Sequence, residues 1–352
     1  MIYNFITLFD KNFLSRGYAL YKSLIKNCNN FTLYILALDQ ETEDLLKKEI
    51  ISNISIISLN QIESFYPELT DLKKTRSTAE YCWTLTSYSI QYAIKNFNLD
   101  SCTYLDSDIY FFNDPKILFD EAGNNSIIIT EHSYTPEYDQ SKTSGKYCVQ
   151  FVFFKNDNDG MEALEWWRQR CKEWCYSRCE DGKFGDQKYL DDWTTRFKSV
   201  YVPAHIGCGL APWNIQQYDI NIIDDKLYAC DKITKRKEPV IFFHFHGIKK
   251  MYADSNKEIW YLSSYFIDEN IKEIIYANYI KLLTKSDILI NDSLMKIRKP
   301  DFKTIFFMVI KNIIKSISIF KMYKYYKNIL INEYNNKKRG FLTVYLVFFH
   351  LL

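Results

Sequence analysis

Apolar residues arrive along this chain in two rhythms. Short, nearly unbroken runs such as IYNFITLF, FTLYILAL, ISIISL, SIIIT and CVQFVFF carry no helical period and read as buried strands. Between them lie segments with apolar positions three and four apart. FLSRGYALYKSLIKN places Leu14, Tyr18, Tyr21 and Leu24 on one side, ETEDLLKKEII forms a second helix, and Ala79 to Phe97 a third that leads into the strand ending at YLDSD. Further helices are expected over Gly160 to Cys179 and Asn256 to Leu283, and a late strand over EPVIFFHFHG. Strands alternating with helices predict an α/β fold: a mostly parallel central sheet with helices on both faces. In open sheets of this kind ligands lie beyond the carboxyl ends of the strands.

The chain has 352 residues, enough for one large domain or two smaller ones. Its 45 basic and 43 acidic residues nearly cancel, so global charge gives no reason to expect nucleic acid. The distribution is less even. From Asp301 onward nine Lys or Arg face two acidic residues, interleaved with Ile, Phe and Tyr, and the chain closes on FLTVYLVFFHLL. That closing run falls short of the roughly 20 apolar residues needed to span a bilayer. We therefore expect an α/β domain over 1–285 and a basic, apolar helical extension over 286–352, lying on an anionic membrane surface or packed at an interface. The opening MIYNFITLF has neither a basic region nor a cleavage site, and nine cysteines lack framework spacing, which together predict a cytoplasmic protein, peripheral on the inner face of the membrane if the tail binds there. Cys171, Cys175 and Cys179 share a predicted helical face with Met161, Leu164, Trp167 and Trp174, so burial is the better reading than a metal comb.

The chemistry begins at YLDSD. An extended backbone would point Asp106 and Asp108 to the same face, and two carboxylates sharing one spot are costly unless a pKa rises or a cation sits between them. Such oxygens suit Mg2+ or Mn2+ holding a substrate's phosphates, whereas the plain alternative is a solvated turn. Three downstream stretches offer partners. KFGDQKYLDDW puts Asp186 and Gln187 at a helix start, FFHFHG puts His244 and His246 on one face of a strand end, and AHIGCGLAPWN supplies Gly207, Gly209, Trp213 and Asn214 for close backbone approach and a sugar face. Singly, each has an ordinary structural alternative: a helix cap, a hydrogen-bonded strand residue, a turn.

Taken together, FITLFDKNFLSRGYALYKSL, YLDSD, YCVQFVFFKND, GDQKYL and HFHG resemble the A-type fold (GT-A) glycosyltransferases that use nucleotide-sugar donors, and are similar to glycosyltransferase family eight and related bacterial surface-polysaccharide transferases, over roughly residues 1 to 250. The resemblance implies a Rossmann-like catalytic domain that uses Mn2+ or Mg2+ and a UDP-sugar, transferring to a glycan or lipid-linked acceptor with retention. It implies that Asp106 and Asp108 bind the cation, together with His244, and with His246 as a second choice, while Ser107 between the two carboxylates meets the donor. It also implies that Leu8, Asp10 and Asn12 seat the nucleoside, that Lys249 or Lys250 meets the diphosphate, and that Asp186 and Gln187 lie beside the anomeric carbon. Two departures stand out. Val149-Gln150-Phe151 replaces the family's Asn-x-Gly, making Gln150 the expected substitute in sugar recognition, and the family's Arg before the DxD is matched only by Arg76 or Lys74. A sugar nucleotidyltransferase would share the sheet but calls for a Gly-rich, basic loop after the first strand, which LFDKNFLSRG lacks. A non-catalytic nucleotide- or glycan-binding scaffold is the third possibility, since fold alone never establishes activity.

Overall fold

The structure is a computed structural model that describes residues 2–48, 53–252 and 258–289. Contacts divide the chain into a unit of Met1–Lys250 with Ile259–Ile297, which holds the central sheet, its helices and the site residues, and a unit of Met251–Glu258 with Arg298–Leu352. The expected tail, from residue 290 onward, lies outside the described residues.

Among the described residues, eight strands precede the loop that carries AHIGCG: β1 (Tyr3–Phe9), β2 (Phe31–Ala37), β3 (Ile54–Ser58), β4 (Ser101–Leu105), β5 (Ile109–Phe111), β6 (Ile127–Glu131), β7 (Tyr147–Lys155) and β8 (Val200–Tyr201). Seven of them form the central sheet in the order β3-β2-β1-β4-β7-β6-β8. Only β7 runs against its neighbours, so the sheet is mostly parallel as expected. Along β1, Ile6 and Leu8 enter one apolar cluster while Phe5 and Phe9 enter another on the opposite face. Both faces are covered, which is why these strands read as continuous apolar runs instead of alternating ones.

The helices that matter for the site are α1 (Leu14–Asn27), α2 (Gln40–Lys48), α3 (Leu59–Phe65), α4 (Leu69–Thr75), α5 (Thr78–Phe97), α6 (Lys116–Ala122), α7 (Ser141–Ser144) and α8 (Asn158–Glu173). α5 starts at a reciprocal capping box between Ser77 and Glu80 and stops at Asn98, which takes the left-handed conformation. It delivers the chain into β4.

Three sequence expectations change. The helix expected to reach Cys179 ends at Glu173, where Trp174 turns extended; Cys171 and Cys175 are buried as expected, but Cys179 is exposed and does not share their face. The segment expected to be helical from Asn256 contains a strand, Glu258–Tyr261, and helix begins only after Asp268, whose side chain accepts from the Asn270 N–H. EPVIFFHFHG is two strands: after the sheet of β9 (Tyr218–Ile223), β10 (Lys226–Asp231) and β11 (Lys237–Pro239), the chain breaks before β12 (Phe242–His244). This break frees β12 to pair with β5 instead of continuing beside β10.

Candidate metal and donor site

The site forms where β4 ends. Its ladder with β7 continues one residue past the strand, through the Asp106 N–H donating to the Gln150 carbonyl at 3.0 Å. The backbone then turns over Asp106–Asp108, with Ile109 N–H reaching back to the Asp106 carbonyl at 3.3 Å. Of the two backbones open from the sequence, extended or turned, the DxD takes the tight turn. Its carboxylates still converge, because β5 pairs antiparallel with β12 so that Ile109 lies opposite His244. Phe245 N–H closes this pairing on the Asp108 carbonyl at 2.9 Å. A histidine 136 positions beyond Asp108 is brought in by three residue pairs.

His244 Nε2 lies 3.1 Å from Asp108 Oδ1 and 3.7 Å from Asp106 Oδ2. One potential ligand atom from each of the three residues falls within 4.8 Å of the others. Burial acts to raise the Asp108 pKa, but the His244 imidazole outweighs it and leaves the carboxyl at about 2. For Asp106 burial wins: opposed by His244 and reinforced by Asp108, it lifts the pKa to about 6. At His244 burial works downward, yet the Asp108 and Asp106 carboxylates carry the pKa well above the usual imidazole range. Two carboxylates and an imidazole thus face one point with one negative charge unbalanced. Hard oxygens plus one nitrogen at this spacing fit a divalent cation, which would relieve the strain on Asp106. His246 lies just past β12 and is exposed; its ring centre is 5.6 Å from that of His244, and it is not part of the three-residue group.

Around this point the other expected residues divide. Asp186 is buried, and burial together with the charge of Asp106 pushes its pKa up to about 8. It does not cap the helical turn that follows, since no side-chain cap bond is made. Gln187 donates its amide to the Ser144 carbonyl at 2.7 Å. Asp10 and Asn12 sit past the end of β1, where Asn12 N–H and Nδ2 both donate to the Asp10 carboxylate, while the Leu8 side chain lies in the core. Ser107 is buried at the tip of the DxD turn. Lys249 and Lys250 begin the strand after the His244 loop.

Four expected ligand contacts find other partners. Gln150 is fully buried, with its amide engaged by His244 and Thr130. Asn214 accepts from Ala211 N–H and donates to the His132 and Gly209 carbonyls, which fixes its loop. Trp213 donates its Nε1–H to the His132 carbonyl and presents its ring edge-on to His244, at 5.2 Å between ring centres. Arg76 is buried; it donates to Thr84 and, at 2.8 Å, to the Lys172 carbonyl in the last turn of α8, and lies over Tyr176. It ties the end of α4 to α8.

Arg16 is the residue that sequence reasoning passed over. From α1 it donates to the Asn12 carbonyl at 3.1 Å and to the Ile248 carbonyl at 2.8 Å, joining the corner of Asp10 and Asn12 to the loop that carries Lys249 and Lys250. Its positive charge also reaches Asp108. The available signal was a lone arginine in the first turn of the helix that follows β1.

His132 beneath the site gives a test of fold electrostatics. It is buried, stacks on Tyr134 with ring centres 4.6 Å apart, and burial drives its pKa down to about 3. Between pH 6.5 and 3 the unfolded chain binds a proton at this position that the folded chain refuses. Stability should therefore fall as pH drops below 6.5, by about 1.4 kcal/mol per pH unit from this group alone. His132→Phe should flatten that part of the stability–pH curve, measured by urea unfolding at pH 7, 6 and 5; an unchanged slope would refute the assignment.

No family model matches the sequence. It is 30% identical over 282 residues to the uncharacterized protein YfnD of Bacillus subtilis (strain 168), an alignment that covers 79% of this chain and 88% of YfnD. With the uncharacterized YfnF of the same organism the identity is 30% over 264 residues, covering 72% and 84%. The chain belongs to the family of YfnD and YfnF. Among solved structures, this family member is similar to mouse xyloside xylosyltransferase 1 in its apo form, with 14% identity, 60% of this chain and 88% of that chain covered, and a TM-score of 0.40. It is also similar to the galactosyltransferase LgtC in complex with donor and acceptor sugar analogs, with 11% identity, 80% and 95% coverage, and a TM-score of 0.46.

Proposed function

We propose that the chain is a divalent-metal-dependent glycosyltransferase that moves a sugar from a nucleoside-diphosphate donor, a UDP-sugar by the resemblance of its motifs, to a glycan or lipid-linked acceptor of the cell surface, with retention. The observation that carries this reading is the convergence of Asp106, Asp108 and His244 at the carboxyl end of a parallel sheet, with Asp186 buried within range of the same charges. Those three side chains would hold Mn2+ or Mg2+. When bound, the cation supplies Lewis-acid stabilisation of the negative charge that develops on the leaving diphosphate.

The chain's own residues supply the rest. Asp10 and Asn12 occupy the corner proposed for the nucleoside, and Arg16 fixes that corner to the loop whose Lys249 and Lys250 are proposed for the phosphates. A sugar seated beyond the DxD turn would meet Asp186 and Gln187, whose oxygens can stabilise an oxocarbenium-like centre or orient the acceptor. Burial of Asp186 strengthens any such interaction by excluding water.

Calorimetric titration with a panel of UDP- and GDP-sugars, with and without Mn2+, tests the proposal. Metal-dependent binding of one donor is expected; no nucleotide binding by folded protein in either condition would move the weight to the scaffold reading. No helix among the described residues is long and apolar enough to cross a membrane. For the basic segment beyond Pro300 we propose attachment to anionic lipid. Deleting it should abolish sedimentation with phosphatidylserine vesicles, and unchanged sedimentation would refute that attachment.

A further inference from the structure

His244 can serve a cation only through Nε2, since that is the nitrogen facing Asp106 and Asp108. Its other nitrogen, Nδ1, lies 2.8 Å from Gln150 Oε1. A glutamine carbonyl can only accept, so Nδ1 keeps its proton there, and Nε2 is the nitrogen that exchanges its proton for a cation and turns its lone pair to the metal. The amide is itself held the right way round. Its Nε2 reaches Thr130 Oγ1 at 3.3 Å, which directs Oε1 at the imidazole.

The surroundings leave the amide little freedom. Gln150 is fully buried on β7. A methyl group on Gly209 would come within 2.6 Å of Gln150 Nε2, so the glycine provides the space in which the amide rests. The Gly209 carbonyl is pinned in turn by Asn214 at 3.0 Å. The Cys148 thiol, two residues before Gln150 on the same strand, also bears on His244.

We infer that Gln150 is a positioning residue that fixes the tautomer and rotation of the metal-ligating His244, in place of the sugar contact expected of this strand. The inference rests on the metal reading given above. It has a consequence for specificity: with Gln150 buried and engaged, the sugar hydroxyls are read by groups outside β7. Partners of this kind on ligating histidines typically change metal affinity by about 10- to 100-fold when removed.

The test is Mn2+ affinity of the full chain, measured by electron paramagnetic resonance without nucleotide, with thermal unfolding run in parallel. Gln150→Met keeps the side chain's length and removes both hydrogen bonds; Mn2+ should bind about 10- to 100-fold more weakly while the fold survives. Gln150→Glu keeps an acceptor for Nδ1–H and should stay within about threefold of the wild type. Thr130→Val, which only unfastens the amide, should fall between them. Wild-type affinity in Gln150→Met, alongside loss in His244→Ala, would overturn the inference. Equal weakening in Gln150→Met and Gln150→Glu would overturn it too, because the residue would then matter only for packing. No Mn2+ binding by the wild type would overturn the metal reading, and this inference with it.

Discussion

Replacing Asp108 with alanine should abolish Mn2+-dependent donor binding and lower sugar transfer by at least about 10³-fold, equivalent to roughly 4 kcal/mol of transition-state stabilisation. Asp108 is the better target of the two because its carboxyl is held ionised by His244, its nearer partner at 3.1 Å. Asp106 starts from a different state. Burial and the charge of Asp108 draw it up to about 6, and the Tyr104 hydroxyl donates to it at 3.0 Å. Asp106→Asn keeps an acceptor for Tyr104 and removes the charge, so metal affinity should fall with little effect on folding. Both variants should melt within a few degrees of the wild type, since neither side chain belongs to an apolar cluster. Metal-dependent donor binding that persists in folded Asp108→Ala would sink the proposed function. Loss of binding together with unfolding would be uninformative alone, which is why Asp106→Asn is the necessary companion.

How far the sequence discloses this site depends on which interactions build each part. The central strands were legible because a sheet covered on both faces demands unbroken apolar runs, and the position of Asp106 at a strand end followed from the alternation with helices. The convergence of His244 was not derivable from periodicity. It depends on β12 leaving the line of β11 to pair with β5, a contact between segments more than a hundred residues apart; residue type and the HFHG pattern make His244 a candidate ligand, but neither gives the pairing that delivers it. The sequence leaves the DxD open between strand and turn for a related reason: side-chain alternation describes a strand, and the strand stops at Leu105. Gln150 is expected at the sugar from the family position it occupies, and Asn214 from residue type. Burial decided otherwise, because a buried amide must find protein partners, and both did. The end of α8 carried no Gly or Pro to announce it, so the Cys and Trp periodicity ran on past Trp174 in sequence but not in space.

The glycines of AHIGCG illustrate the same division, and they give the second large expected effect. Gly207 has no need of an unusual backbone conformation; what it lacks is room. A Cβ built there would lie 2.0 Å from the Pro239 carbonyl oxygen and 2.9 Å from its carbon, both main-chain atoms that no rotamer change can move. The two segments run side by side: Ile241 N–H donates to the Gly207 carbonyl and His244 N–H to the Leu210 carbonyl, each at 2.8 Å. Overpacking of a tight seam commonly costs about 1–3 kcal/mol, and a clash with main chain belongs at or above the top of that range. Gly207→Ala should therefore lower stability by about 3 kcal/mol or more in urea unfolding. Because His244 hangs from this seam, the variant should also lose Mn2+ affinity under conditions where it remains folded. Gly123→Ala is the control: its φ of +59° with ψ of −121° strains any side chain, yet nothing lies within 4 Å of the added atom, so a cost of about 1–3 kcal/mol without loss of metal affinity is expected. A Gly207 variant no less stable than the Gly123 variant, binding Mn2+ as the wild type does, would mean that the seam yields, and that His244 is positioned by its ring contacts alone.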